Sequence, residues 1–224
     1  MFTTQPEKII VLGAHYDTCG ATPGADDNAS GVAALLAIAD ELGTKPRPRT
    51  IRLVFFVNEE PPMFQTKHMG SLVYAKACKA AGDDIRAMLA LESMGYFDAA
   101  PGSQKYPAPF SLLYPSTGDF LAFVGNYDSR DLVRRCVKAF RSGAALPSEG
   151  AAVPGAIAGV GWSDHWSFWQ EGWPAVMVTD TAPFRNPHYH EKSDTPDKLD
   201  YDRLGRAADG LIPVIDDLAS ETGP

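Results

Sequence analysis

Lys8-Ile9-Ile10-Val11-Leu12-Gly13-Ala14-His15-Tyr16-Asp17 decides how the rest of the chain is read. Its apolar residues are continuous rather than alternating, as in a strand covered on both faces inside a mostly parallel sheet. The run then gives way to His15-Tyr16-Asp17, placing polar groups at a strand's carboxyl end, where open α/β sheets gather their ligands. Apolar runs of strand length recur at 51–57, 88–91, 121–124 and 175–178. Between them, Val32, Leu35, Leu36 and Ala39 follow helical spacing, with Asn28 or Ser30 as a cap and Gly43 as a stop. Leu132, Val133, Cys136, Val137 and Phe140 make a second helical face introduced by Asp128 and Ser129. Residues 201–219 read as a last helix, in which Pro213 predicts a kink or a break. Strands alternating with helices predict an α/β fold, a three-layer α/β/α sandwich around a mostly parallel mixed sheet.

The 224 residues, 45% of them hydrophobic, suffice for one sizeable core, so residues 1–224 are expected to form a single domain. Two stretches interrupt the alternation. Residues 99–115, rich in Pro, Gly, Tyr and Ser, and residues 142–161, mostly Ala, Gly, Pro and Val, are expected as surface loops that shape a cleft. The formal net charge of −8 argues against nucleic acid or an anionic membrane as partner, since both reward clustered Lys and Arg. Cys19, Cys78 and Cys136 are odd in number and widely spaced, so no disulfide framework is expected and they read as plain thiols. No leader and no membrane-spanning apolar run is seen. The default expectation is a cytoplasmic chain, unless an export signal has been removed.

Polar residues cluster where the strands end. After His15-Tyr16-Asp17 comes Gly24-Ala25-Asp26-Asp27-Asn28-Ala29-Ser30-Gly31, just before the first helix. The second run ends in Asn58-Glu59-Glu60, the third in Glu92, and the last leads to Asn186-Pro187-His188-Tyr189-His190. Carboxylates and imidazoles without a cysteine set suit zinc or a similar divalent ion. Three carboxylate ligands and one hydroxide balance two Zn²⁺. Singly, each motif has a plainer reading: Asp26-Asp27-Asn28 as an N-cap cluster, Glu59-Glu60 as a solvated pair. His68 reads as exposed within a helical stretch, His165 as structural and His188 as a flanking loop residue.

The ordered set resembles the M28 zinc aminopeptidases. The family's His-x-Asp is similar to His15-Tyr16-Asp17, its Gly-Ala-Asp-Asp motif to Gly24–Gly31 read residue by residue, and its Glu pair to Glu59-Glu60. Its carboxylate before a Met-x-Gly-like turn is similar to Glu92-Ser93-Met94-Gly95-Tyr96, where many members have Asp. Ser163-Asp164-His165, Tyr189-His190 and Ser193-Asp194-Thr195 complete the series. The resemblance implies a zinc-peptidase domain holding two Zn²⁺, one bound by His15 and Glu92, the other by Glu60 and His190, with Asp27 bridging them. It further implies a cis peptide at Asp27-Asn28, Glu59 as general base and Tyr189 as oxyanion donor. Asp17 is expected behind His15 and Asp194 near His190. The implied substrate is a peptide or aminoacyl compound cleaved at its N-terminal residue. Trp162, Trp166, Phe168, Trp169, Tyr96 and Phe97 are candidate side-chain pocket residues, with core packing as the competing reading for the tryptophans. A glutaminyl cyclase-like mono-zinc aminoacyltransferase and a carboxypeptidase share the fold as alternatives; Tyr189, where the cyclases usually place Trp, weighs against the first. Family members usually carry more chain before the His-x-Asp strand. Either the sheet lacks an edge strand or a neighbouring subunit covers that edge, giving a homo-oligomer.

Overall fold

A computed structural model describes residues 4–43 and 45–220. Six strands form one sheet: β1 (Gln5–His15), β2 (Arg49–Phe56), β3 (Asp84–Glu92), β4 (Leu121–Gly125), β5 (Ser148–Ala152) and β6 (Ala175–Thr179), in the order β2-β1-β3-β6-β4-β5. The first four strands in that order are parallel to one another. β4 runs antiparallel to β6 and parallel to β5. The sheet is therefore mixed and mostly parallel, split into a parallel four-strand half and a reversed two-strand half.

The helices are α1 (Gly31–Leu42), α2 (Gly70–Ala81), α3 (Arg130–Gly143), α4 (His165–Gln170), α5 (Ala182–Arg185) and α6 (Tyr201–Leu218). Alternate residues of each strand feed opposite layers. Ile10, Leu12 and Ala14 of β1 pack with Leu35, Phe140, Leu211 and Ile215 beneath α1, α3 and α6. Ile9 and Val11 pack with Ala75, Cys78 and Phe168 beneath α2 and α4. Both faces of β1 are thus buried, which is why its sequence is a continuous apolar run. Full burial of each Leu or Ile contributes about 1.5–3 kcal/mol.

Two expectations about the elements fail, and a third about the setting of one residue. β5 lies inside the stretch read as a loop, because Ser148-Glu149-Gly150-Ala151-Ala152 has neither apolar run nor alternation and is a strand only by its parallel ladder with β4. The break at Pro213 is the other: α6 continues through it, since Val214, Ile215 and Leu218 bury its second half against the sheet and outweigh one lost backbone bond. His68 sits in a turn rather than a helix, and is exposed as expected. Among the described residues no helix is long and apolar enough to cross a membrane.

Candidate metal centre

The four parallel strands end along one edge, and that edge carries the charged cluster. β1 ends at His15, 1% exposed, and β3 at Glu92, 8% exposed. β2 is followed by Asn58, whose φ of 60° turns the chain so that Glu59 and Glu60 face inward. The Asp17 carboxylate fixes this turn, accepting from Glu59 N at 3.2 Å and Glu60 N at 3.1 Å. It also lies 3.6 Å from His15 Nδ1, although that nitrogen is nearer the Asp17 main-chain carbonyl, at 3.1 Å. Asp17 therefore joins His15 to the glutamate pair rather than serving His15 alone.

Asp27 stands between the two halves of the cluster. The Asp27–Asn28 peptide is cis, and the segment is held from several sides. Asp194 accepts from Asp26 N and Asp27 N at 3.0 and 3.2 Å, so it supports the Asp27 backbone rather than His190. Asn28 donates to Leu91 O at 2.8 Å and accepts from Ser93 N and Gly31 N, pinning the start of α1 to the end of β3. Gly31 permits that approach, because a Cβ there would lie 2.6 Å from Leu91 O. Asp27 Oδ1 then faces His15 Nε2 at 3.3 Å, while Oδ2 faces His190 Nε2 at 3.0 Å.

Around Oδ1, His15 Nε2 is 3.2 Å from Glu92 Oε2, so the glutamate side chain reaches the site. Glu59 Oε2 is 3.9 Å from the same nitrogen. Around Oδ2, His190 Nε2 is 3.4 Å from Glu60 Oε2. His190 has φ 60°, uncommon outside glycine and concentrated at functional sites. Tyr189 stacks on its ring at 3.9 Å. The predicted ligands His15, Asp27, Glu60, Glu92 and His190, with Glu59 and Tyr189, are thus brought to one place from five separate chain segments.

Several organising residues were not assigned from sequence. Ser163 Oγ donates to Glu92 Oε2 at 2.7 Å. Asp26 accepts from Gly95 N and from Asn186 Nδ2, both at 2.8 Å, tying the turn after β3 to the loop that carries His190. Asp180 accepts from Tyr96 N at 2.7 Å. Cys19 Sγ lies within 4.8 Å of ligand atoms of Glu60 and His190. Ser163 stood in a quoted motif without a role; nothing local to Cys19 signalled its position. Elsewhere, His165 is buried and its Nε2 pairs with Val160 O at 2.8 Å, a structural role.

The electrostatics call for cations. Burial pushes the Asp27 carboxyl up, but the two imidazoles outweigh it and hold Asp27 far below the usual range. Burial opposes charge on His15, yet Glu92, Glu59, Asp17 and Asp27 raise it well above an ordinary histidine. His190, likewise opposed by burial, is pushed up to about 10 by Asp27 and Glu60. Burial, with its carboxylate neighbours, raises Glu59 well above the usual range. His15 Nε2, His190 Nε2 and Glu60 Oε1 are buried without hydrogen-bond partners. Buried polar atoms are normally satisfied. Nitrogens and oxygens that converge on common points without hydrogen-bonding one another fit the coordination of divalent metal.

Beside this edge lies an apolar cleft built on the reversed half of the sheet. Glu92 and Tyr189 form its metal-side wall; Ala122 and Val124 of β4, Ala151 of β5 and Met177 of β6 form its floor. Tyr106, Phe110 and Tyr114 come from the first predicted loop, and Ile157 and Val160 from the second, so both stretches shape a cleft. Of the candidate pocket aromatics only Trp162 lines it. Phe168 is core, Trp166 and Trp169 border a separate recess, Tyr96 packs on His188, and Phe97 on Arg185 and Arg203. The others share the chain segment but are turned away by the helix α4 and by the turn after β3.

Residues 2–215 match the model of peptidase family M28, and the chain belongs to that family. The Escherichia coli (strain K12) protein YfbL is 43% identical over 216 residues, spanning 92% of this chain and 66% of its own length. A probable leucine aminopeptidase of Arthroderma otae is 30% identical over 228 residues, 95% of this chain and 54% of its own. The Legionella pneumophila aminopeptidase LapA superposes with a TM-score of 0.76 at 24% identity, over 98% of this chain and 53% of its own, and shares the fold. The chain thus spans about two thirds of YfbL and about half of the other two.

Proposed function

We propose that this chain is a two-zinc aminopeptidase that removes the N-terminal residue from peptides, with a preference for large apolar side chains. The observation that carries the reading is the division of Asp27, whose two carboxylate oxygens face two separate His–Glu pairs, His15 with Glu92 and His190 with Glu60. When bound there, two metals would polarise a peptide carbonyl and lower the pKa of a shared water from 15.7 toward roughly 7. Membership of a peptidase family and the name carried by the fungal relative support the same reaction.

Glu59 is the proton carrier. It is buried, its backbone is fixed by Asp17, and its raised affinity for protons suits a group that must take one from water and return it to the leaving amine. Burial and the surrounding carboxylates also raise the Tyr189 phenol, which keeps it protonated as a donor to a developing oxyanion. The acidic cluster supplies the negative surroundings that a substrate α-ammonium needs. The cleft beside Glu92 and Tyr189, floored by Ala122, Ala151 and Met177, takes the first side chain.

The test is zinc per chain and p-nitroaniline release from leucyl-, alanyl- and glutamyl-p-nitroanilide, for wild type and Glu59→Gln. About two zinc ions and fast leucyl release are expected, with activity falling about 10²–10⁴-fold in the variant while its zinc stays. One zinc, no hydrolysis and cyclisation of N-terminal glutamine would replace this reading with the cyclase.

A further inference from the structure

The two halves of the centre are not equally furnished. On the inner side, His15, Asp27 and Glu92 bring ligand atoms within 4.8 Å of one another, and all three residues are buried. Three protein ligands are the usual complement of a catalytic zinc, which keeps its remaining position open. On the outer side, Glu60 and His190 share a 4.8 Å cluster with Cys19 Sγ, and Asp27 Oδ2 reaches His190 Nε2 at 3.0 Å. A second observation marks this spot as made for a ligand. Glu60 is 5% exposed, and its Oε1 has no hydrogen-bond partner.

We propose that Cys19 is a further protein ligand of the outer metal, adding a sulfur to Asp27, Glu60 and His190. The inference rests on the two-metal reading and adds the sulfur to it. Cys19 is held where it can serve: Thr22 donates to its carbonyl from N at 3.2 Å and from Oγ1 at 2.9 Å. The preceding Thr18 is wedged against Gly24, where a Cβ would meet its methyl at 2.1 Å. Ligation breaks the S–H bond, the proton passing to solvent as the sulfur electron pair binds the cation, with no oxidant required. A thiolate also biases the outer position toward softer ions, Zn²⁺ or Cd²⁺ over Mn²⁺ or Mg²⁺.

The experiment is cobalt loading of the metal-free full chain, wild type and Cys19→Ser, followed by absorption spectroscopy. The wild type is expected to show visible ligand-field bands together with a near-ultraviolet thiolate-to-cobalt charge-transfer band. The variant should keep the visible bands, which report an intact centre, and lose the charge-transfer band. Visible bands without charge transfer in the wild type would overturn the Cys19 assignment and leave the two-metal centre standing. No cobalt binding would overturn both. Alkylation by iodoacetamide gives an independent readout, because Cys19 is half-buried while Cys78 and Cys136 are buried. Zinc is expected to protect Cys19 from the reagent, and equal rates with and without zinc would count against ligation.

Discussion

The parallel and the reversed halves of the sheet do different work. The parallel strands β2, β1, β3 and β6 present their carboxyl ends together, so residues from distant parts of the sequence meet there without a long loop. The reversed strands β4 and β5 present instead a wall of small apolar residues, Ala122, Val124 and Ala151, over which two irregular segments close. One half fixes charges and the other leaves space. Chemistry should therefore be set in the parallel half and selectivity in the reversed half, and each can be disturbed while the other is read.

The largest effect is expected from His15→Ala. It removes a candidate ligand that is 1% exposed at the end of β1 and takes from Glu59, Glu92 and the Oδ1 side of Asp27 the imidazole they face, leaving His190 beside Asp27 Oδ2. Zinc should drop by at least one per chain and leucyl-p-nitroanilide hydrolysis to background. Circular dichroism should stay native, since the strand is held by its neighbours on both sides. A variant that keeps full zinc and activity would remove His15 from the centre.

Ser163→Ala is the next in size. Its hydroxyl is the donor that orients Glu92 Oε2, at 2.7 Å, and outer partners of this kind typically shift metal affinity or activity by about 10–100-fold. Competition with a chelator should show weaker binding of one ion, with the relative rates on leucyl and alanyl substrates unchanged. A change in that ratio would mean that the two halves are not separable.

The reversed half is probed by Ala151→Phe on the half-buried edge strand β5, which narrows the cleft without touching a candidate ligand. A single methylene in an apolar pocket discriminates side chains by about 10–200-fold. The leucyl-to-alanyl ratio of kcat/KM should fall within that range, with zinc content and alanyl turnover preserved. Equal loss on both substrates would place the first side chain elsewhere.

The same division explains what the sequence made legible. β1, β3 and β6 are buried on both faces, so their continuous apolar runs announced strands, and candidate ligands at strand ends could be proposed by counting from them. β5 is an edge strand of Ser, Glu, Gly and Ala whose only support is the ladder to β4, and no local pattern encodes a ladder. The two loops that shape the cleft were expected from their composition, but its lining by β4 and β5 was hidden for the same reason, being a space between long-range neighbours. At the centre itself, the motifs identified Asp27 and Glu59-Glu60. The offices of Asp26, Asp194 and Ser163 depend on hydrogen bonds across 160, 168 and 71 residues of chain, respectively, as does the approach of Cys19 to His190, and spacing cannot supply these.

The smallest effect separates the halves by pH. In the metal-free chain Asp27 and Glu60 outweigh burial and push His190 up to about 10, against 6.5 for an ordinary histidine. A raised folded-state value means the charged pairing stabilises the metal-free fold fully below pH 6.5 and is lost as pH rises through about 10. Zinc affinity has the opposite slope, because the proton on His190 must leave before the ion enters; it should rise about tenfold per pH unit for that one proton. The cleft has no such slope: burial pushes Tyr106 up to about 12 and raises Tyr114, so both phenols stay neutral across this window. Thermal melts of metal-free protein between pH 6.5 and 10 should decline in wild type and decline less in His190→Gln. The leucyl-to-alanyl ratio of the zinc-loaded enzyme should stay flat over the same range. Identical melting profiles for wild type and variant would show that the imidazole carries no proton there, and the parallel half would then lose its claim to be poised for a cation at His190.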